Sequence, residues 1–148
     1  MKDAADANKK LIVQVGHIEI FNPTFIELRK VLEGMDILAM DFSGLSPFQG
    51  SNVDIDVVLD LMIHDIGLIV NLFADDPVSM DAYGSSVFSY TIDHAKAILC
   101  YDPGLLVSLT ASRITEQKVH AISVTTKEAF IEADLLNKNI SVHRRTLG

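Results

Sequence analysis

The stretch from Asp56 to Ala74 constrains the fold most, because it is almost wholly apolar and is interrupted by polar residues at helical spacing. Asp60, His64, Gly67 and Asn71 stand at i, i+4, i+7 and i+11, so an α-helix would place them on one narrow stripe. A helix that is apolar on its other faces is predicted to be buried. Its acid and histidine must then pair or line a site, because an unpaired buried charge is costly.

The residues Asp60 and His64 support two interpretations. In the first, they form an intrahelical ion pair whose role is purely structural. In the second, the carboxylate orients the imidazole and holds its proton, as an acid–base group acting on a substrate hydroxyl near neutral pH requires. The sequence leaves both open. Asp65 is expected to point away from this stripe, as a solvated or capping acid.

The composition limits the class of protein. The chain has 148 residues, 49% of them apolar, which suits a single domain over 1–148 with a real core. A net charge of −8 argues against nucleic acid as a partner, because phosphate backbones are bound by clustered Lys and Arg. The single cysteine excludes an internal disulfide and fits a cytoplasmic protein. Acids and a histidine inside the apolar run at 57–73 argue against a membrane span.

The remaining segments predict an α+β fold. A helix is expected over 2–10, a buried strand over 11–15, and a second helix that starts at the N-cap Asn22 and ends at Gly34. Strands are predicted at 37–42, 78–83, 95–100, 105–111, 119–125, 130–136 and 140–143, with tight turns at 102–104, 125–128 and 137–139. The strands after Pro77 read as an antiparallel meander. We therefore expect a predominantly antiparallel open sheet with helices on one face and the other face available for oligomerisation.

Four segments together resemble the substrate domain of the glucose-fructose oxidoreductase, inositol dehydrogenase and MocA (Gfo/Idh/MocA) family. They are VGHIEIFNP at 15–23, SPFQGSNVDID at 46–56, VVLDLMIHDI at 57–66 and LTASRI at 109–114. The most specific is the D-x-x-x-H pattern in the apolar helix, with the GH-x-x-x-FNP segment upstream. Members of this family join an N-terminal Rossmann domain to a C-terminal sheet domain, and they move a hydride between a sugar or polyol carbon and NAD or NADP.

The resemblance implies that residues 1–148 are the C-terminal substrate and dimerisation domain of a two-domain dehydrogenase. It also implies that Asp60 and His64 are catalytic groups that work with a lysine from an EKP motif. Neither that motif nor a G-x-G-x-x-G fingerprint occurs in the sequence, which predicts a chain that begins after the Rossmann domain. We expect NAD or NADP in the full-length parent, none bound to this chain, no metal, and no activity of the isolated chain. Phe21 and Asn22 are candidates for contacting a sugar-like substrate, with a core aromatic and a helix cap as their alternative roles.

Three positions depart from the family pattern. Ile20 and Ser51 stand where members of the family carry Arg, and Gly67 stands where an acid is common. Arg suits the forked recognition of phosphate or carboxylate, so these losses bear on whether a nucleotide sugar or an acidic sugar is the substrate. A change of substrate and neutral drift at surface positions both remain open.

Two other function classes deserve comparison. The string HDIG at 64–67 matches metal-dependent HD-domain phosphohydrolases, which need further ligands on an all-helical scaffold. A non-catalytic domain that self-associates through an uncovered apolar sheet face is the other alternative. His94, His120 and His143 fall in predicted strands without a partner at ligand spacing, and they are expected to be ordinary sheet or surface residues.

Overall fold

The computed structural model describes residues 2–7, 11–12 and 16–146. Helix α1 (Lys2–Ala7) lies within the predicted N-terminal helix, whose remaining residues are outside the described part of the chain. The predicted strand at 11–15 also lies mostly outside it, and residues 11–12 have no regular secondary structure. A short 3₁₀ helix (Ile18–Phe21) leads into the first well-defined element.

Helix α2 (Pro23–Leu32) forms where the sequence predicts it. The side-chain oxygen of Asn22 accepts a hydrogen bond from the Thr24 N–H at 3.0 Å, which satisfies one of the free donors of the first turn. Pro23 occupies the first turn, where no N–H is needed. The apolar side chains of Phe25 and Leu28 are fully buried, so this helix is held against the sheet by the face that its periodicity predicts.

Among the described residues, the sheet has seven strands in the order β2-β3-β4-β1-β5-β6-β7. In chain order they are β1 (Ile37–Leu45), β2 (Ser79–Ser85), β3 (His94–Tyr101), β4 (Leu105–Ser112), β5 (Val119–Thr126), β6 (Ala129–Asp134) and β7 (Asn139–Arg144). The predicted turns at 102–104, 125–128 and 137–139 join neighbouring strands as expected. The α+β class and the predominantly antiparallel open sheet are confirmed.

The simple meander is wrong at one point, because β1 lies between β4 and β5. It runs parallel to β4, with Asp41 opposite Ser108, and antiparallel to β5, with Phe42 opposite Ile122. Strands that follow one another in sequence usually pair, which is why the insertion was not predicted. The burial of Phe42, 1% exposed, fits the central place of β1 in the sheet.

The two faces of the sheet differ in chemistry. One face packs under the helices and carries the core residues of alternate positions, namely Met40, Phe42, Val107, Leu109, Ile122, Val124 and Ile131. The other face has Asp41, Ser43, Ser108, Thr110, Ser123 and Thr125 along its central strands. The expected apolar open face is therefore wrong at its centre, where the period-two alternation of the strands places small polar residues.

The central apolar stretch is helical but is not one regular helix. Residues Val58–Met62 have π-helical geometry, and α3 (Ile63–Leu72) continues from them. The Asp56 carboxylate accepts hydrogen bonds from the N–H groups of Val58 and Leu59, both at 3.0 Å, and so caps the start. Val70 is 71% exposed, so the expectation of burial on nearly every face is only partly met. No helix among the described residues is long and apolar enough to cross a membrane.

Candidate active site at the start of α3

His64 lies in the first turn of α3 and lines a cavity of about 180 Å³. Glu19 from the 3₁₀ helix, Ser46 after β1, and Lys118 and His120 at the start of β5 also line it. The Nδ1 atom of His64 is buried and has no hydrogen-bond partner among the described residues. A buried ring nitrogen without a partner is costly, so packing alone does not explain a histidine at this position.

Asp60 is half-buried in the π-helical turn that precedes His64. In the part of the chain that the structure describes, no hydrogen bond links Asp60 to the unpaired Nδ1 of His64. A π-helical turn holds more residues than an α-helical turn, so a spacing of four does not stack these side chains as it would in α3. The intrahelical ion pair is therefore not formed, and the catalytic assignment of both residues stays a prediction.

The carboxylate–imidazole pair of this region is instead Asp65 with His120. The Nε2 atom of His120 lies 2.8 Å from Oδ1 of Asp65, whose side chain is 1% exposed. Because a carboxylate only accepts, Nε2 donates the hydrogen bond. Both expectations for these residues are wrong: Asp65 is not a solvated acid, and His120 is not an ordinary sheet residue.

A sequence signal for His120 existed. It alternates with Ile122 and Val124 along β5, and both of these are core residues, so period two places its ring on the helix-covered side. Asp65 follows His64 and turns from the cavity toward the sheet. The two partners are 55 positions apart, a pairing that no local pattern shows.

The electrostatic environment of His120 favours its charged form. Burial by itself would lower the pKa of His120, but the hydrogen bond and negative charge of Asp65, with the charges of Glu19 and Asp134, raise the pKa above the ordinary value of 6.5. Its Nδ1 lies 3.9 Å from Oε2 of Glu19. The imidazole is therefore placed between a buried acid on one nitrogen and a half-exposed acid on the other.

Gly44 keeps the space that the buried acid needs. This residue lies in β1, and a Cβ atom at its position would stand 3.3 Å from Oδ2 of Asp65. A side chain there would be in tight contact with the carboxylate, so glycine gives the Asp65–His120 pair more room than any other residue would.

The two predicted substrate contacts have different surroundings. The Asn22 side chain caps α2, and its amide also donates to the Leu135 carbonyl at 3.2 Å and to Glu19 at 3.4 Å, which confirms the helix-cap alternative. Phe21 is 65% exposed, so the alternative of a core aromatic is wrong. Neither residue lines the cavity at His64. Their contact with substrate stays a prediction.

The residues of the predicted polar stripe do not share one cavity. His64 lines the cavity described above, and Asp60 lines neither that cavity nor the next one. Gly67 and Asn71 line a second cavity of about 390 Å³ together with His17 and Ile20. A Cβ atom at Gly67 would lie 3.7 Å from Cβ of His17, which is ordinary contact. Ser51, the third departure, is exposed in the loop before the central helix.

A second buried ionic cluster was not predicted. The Nε atom of Arg113 donates to Oδ1 of Asp93 at 2.7 Å, and the two side chains are 4% and 0% exposed. The other guanidinium nitrogens donate to the carbonyls of Asn52 and Ile55 and to the hydroxyls of Ser89 and Thr91. With its donors all engaged inside the protein, Arg113 has a structural role and is not free to bind a ligand.

This cluster fixes two loops above the sheet. Burial by itself would raise the pKa of Asp93, but hydrogen bonds from the Ser89 hydroxyl, from backbone N–H groups of the same loop and from Arg113 hold it far below its usual value. The carboxylate therefore stays charged at any ordinary pH. The loop at 86–92 is anchored by its backbone N–H groups to the Asp93 carboxylate. The loop at 46–57 is anchored by the Ile55 carbonyl to Arg113.

The fold does not support the HD-domain phosphohydrolase. That class needs an all-helical scaffold, whereas the described residues form a seven-stranded sheet under two longer helices. Within the HDIG string, Asp65 is committed to His120. Among the described residues, no three His, Cys, Asp or Glu side chains are grouped so as to hold a metal ion.

Comparison with known proteins places this geometry in a wider group. Residues 49–132 match the family model described as the GFO/IDH/MocA C-terminal domain. The chain is 29% identical over 140 residues to UDP-N-acetylglucosamine 3-dehydrogenase of Acidithiobacillus ferrooxidans, covering 95% of this chain and 44% of that protein. A solved structure of that dehydrogenase superposes with a TM-score of 0.83 at 28% identity, over 97% of this chain and 47% of the other.

More distant structures share the fold. Myo-inositol 2-dehydrogenase from Lactobacillus plantarum has a TM-score of 0.73 at 17% identity, over 88% of this chain and 44% of that one. A dehydrogenase from Bordetella pertussis, solved with NADH and UDP-GlcNAcA, has a TM-score of 0.72 at 13% identity, over 89% of this chain and 47% of that one. The chain spans about half the length of the relatives that it matches.

Proposed function

This chain belongs to the GFO/IDH/MocA C-terminal domain family, and we propose that it is the substrate domain of an NAD(P)-dependent oxidoreductase acting on a hydroxyl of a sugar, nucleotide sugar or polyol. The observation that carries the proposal is the position of His64, which lines a cavity while its Nδ1 is buried without a partner among the described residues. A histidine that lines a cavity is suited to exchange a proton with a substrate hydroxyl near neutral pH. Catalysis is assigned to the protein that joins this domain to a nucleotide-binding domain, and the isolated chain is expected to be inactive.

In the proposed reaction, His64 takes the hydroxyl proton while the carbon loses a hydride. The bound NAD or NADP would supply the hydride acceptor, and no residue of this chain is assigned to holding it. Asp60, one turn before His64, is proposed as a second polar group at the substrate. Phe21 is proposed to cover the sugar ring with its exposed side chain, and Asn22 to position Phe21 by fixing the start of α2.

The substrate class follows from the relatives in part. One relative, 29% identical over 140 residues, is named for UDP-N-acetylglucosamine, and another structural neighbour is an inositol dehydrogenase. Ile20 and Ser51 supply no charge for a phosphate. We therefore propose that a nucleotide sugar, if used, has its phosphates bound by residues other than these two.

The test is turnover by the protein that contains this chain and its nucleotide-binding domain. Formation of NADH or NADPH is followed by absorbance with UDP-N-acetylglucosamine and myo-inositol as substrates. His64→Ala is expected to lower kcat about 10²- to 10⁴-fold, the usual contribution of a positioned proton-transfer group. His143→Ala is the matched control, because that histidine lies on β7 with its side chain 60% exposed. Unchanged turnover in His64→Ala, with a substrate deuterium isotope effect showing that chemistry is rate-limiting, would refute the assignment.

We also propose that the domain forms a homo-oligomer through the open face of its sheet. This face is uncovered by the described helices and carries exposed apolar side chains, such as Ile98, 40% exposed, beside its polar centre. A second copy would cover a large sheet that a single copy leaves in water. Sedimentation of Ile98→Glu tests this, with Ile26→Glu on α2, also 40% exposed, as the matched control. Dissociation is expected only for Ile98→Glu, and a monomeric parent chain would contradict the proposal.

A further inference from the structure

Two imidazoles line the cavity of about 180 Å³, and the proposed reaction uses only one of them. His64 reaches it from α3 and His120 from β5. Since a water molecule occupies about 30 Å³ of liquid, the cavity has room for a short chain of waters. Glu19, Ser46 and Lys118 are among its lining residues, so water in the cavity has polar residues nearby.

The position of His120 makes one of its two ring nitrogens available for proton exchange. Asp65 accepts the hydrogen bond from Nε2 at 2.8 Å and is itself buried, so that nitrogen keeps its proton. Nδ1 lies 3.9 Å from Oε2 of Glu19, which is too long for a direct hydrogen bond and leaves Nδ1 unbonded to that acid. A carboxylate that fixes one nitrogen of an imidazole and so frees the other for proton transfer is a recurring arrangement in enzymes.

Charged groups reach His120 from every side. Asp65 comes from α3, Glu19 from the 3₁₀ helix and Asp134 from β6, and these three acids favour its protonation. Lys118, two residues earlier in the chain, is exposed and lines the same cavity. The ring is 16% exposed, so it has a route to solvent past Glu19.

We propose that His120 is a proton-relay residue for His64, acting through water in the shared cavity. The proposal rests on the proposed function. When the alcohol is oxidised, its C–H hydrogen leaves as hydride to NAD(P)⁺, and its O–H proton goes to His64. That proton then passes through water to Nδ1 of His120 and past Glu19 to solvent. In the reducing direction, His120 in its imidazolium form returns one proton by the same path. His120 does not contact the substrate. It acts by restoring the protonation state that His64 needs for the reaction.

The first experiment uses imidazole NMR on this chain and needs no turnover. Each histidine is titrated in the parent and in His64→Gln, Asp65→Asn and Glu19→Gln. The pKa of His120 is expected to fall in Asp65→Asn and Glu19→Gln, because each removes a negative charge that favours protonation. His64→Gln is expected to raise it, because a competing positive charge is lost. Glu132→Gln, beside His143 on the other face, is the control that should leave His120 unchanged.

The second experiment uses the protein that contains the nucleotide-binding domain. His120→Gln is expected to lower kcat about 10²-fold with KM unchanged, the lower end of what positioned proton transfer contributes. It should also shift the pH profile of kcat, and added imidazole buffer should restore part of the rate. A merely structural role would give neither the profile shift nor the rescue. Glu19→Gln, a half-exposed position, tests the path if His120→Gln fails to fold.

The outcomes separate the two proposals. Turnover without coupling between His64 and His120, or without buffer rescue, overturns the relay and leaves the proposed function intact. Coupling without turnover on any sugar, nucleotide sugar or polyol overturns the proposed function, and the relay falls with it. Coupling together with a shifted pH profile and rescue supports both.

Discussion

Asp65 and His120 are 55 positions apart in the sequence, yet Oδ1 of the acid lies 2.8 Å from Nε2 of the histidine and joins α3 to the central sheet. The acid is 1% exposed and the ring 16% exposed, so water screens this pair weakly. It lies beside the unpaired His64, and it therefore couples the packing of the helix to the electrostatics of the candidate active site.

The Asp65–His120 pair predicts a specific dependence of stability on pH. The folded-state pKa of His120 is raised above the ordinary 6.5, so protonation favours the folded chain. This contribution is fully present below about pH 6.5 and is lost as the pH rises through the folded-state value. The free energy of unfolding, measured by urea titration from pH 5 to 9, is expected to fall over this window in the parent. The fall should be absent in His120→Gln, and an equal fall in that variant would contradict the assignment.

The Arg113–Asp93 cluster predicts a large loss of stability when one partner is removed. Arg113→Met leaves a buried carboxylate without its guanidinium, which costs roughly 3–5 kcal/mol in the free energy of unfolding. Lys127→Met is the matched control, since Lys127 forms an exposed ion pair with Asp36 at 2.6 Å, and little change is expected there. Chemical denaturation of both variants checks the contrast. A small effect for Arg113→Met would mean that the anchored loops do not depend on it.

The sign for Asp93 is opposite to that for His120. Its pKa is lowered on folding, so its contribution to stability is present above the unfolded value of 3.8 and is lost as the pH falls below it. Acid titration of the parent and of Asp93→Asn by circular dichroism separates this contribution. The parent should lose more stability than the variant between about pH 4 and pH 2, and parallel curves would count against the low pKa.

Gly44 predicts a contrast between two glycine substitutions. In Gly44→Ala the new Cβ would crowd Oδ2 of Asp65 at 3.3 Å, and overpacking of this kind costs about 1–3 kcal/mol. In Gly67→Ala the Cβ meets His17 at an ordinary 3.7 Å, and alanine favours the helix by about 0.5–1 kcal/mol. Thermal unfolding should therefore show a lower Tm for the first and an unchanged or higher Tm for the second. A higher Tm for Gly44→Ala would show that the carboxylate has room to move.

Local sequence signals predicted the helices, strands and turns, but they did not predict which distant strands pair. Asn22 and Pro23 at the start of α2, and the turn residues at 102–104 and 137–139, act on their immediate neighbours, so the sequence shows their effects. The insertion of β1 beside β4 depends on pairs such as Asp41 with Ser108, which no local pattern encodes.

The candidate site divides in the same way. His64 could be singled out, because a histidine in an apolar helix is conspicuous in any window of sequence. The expectation of a solvated Asp65 is wrong because its partner His120 lies 55 positions away, so no local pattern shows that this face of α3 is covered by the sheet. The role of His120 is visible only in the folded structure, although its alternation with Ile122 already indicated that its ring points toward the core.

His64 and His120 predict opposite effects of the same substitution. His64→Phe removes a buried ring nitrogen that has no partner among the described residues, so the free energy of unfolding should stay constant or increase by about 1–3 kcal/mol. His120→Phe leaves the Asp65 carboxylate buried without its donor and should destabilise the chain by a comparable or larger amount. Urea denaturation at pH 7 measures both. A group retained at a cost to stability is expected where function needs it, so a gain for His64→Phe together with loss of turnover would mark this residue as functional. If His64→Phe is as destabilising as His120→Phe, the ring of His64 has a structural partner and the proton-transfer role loses its support.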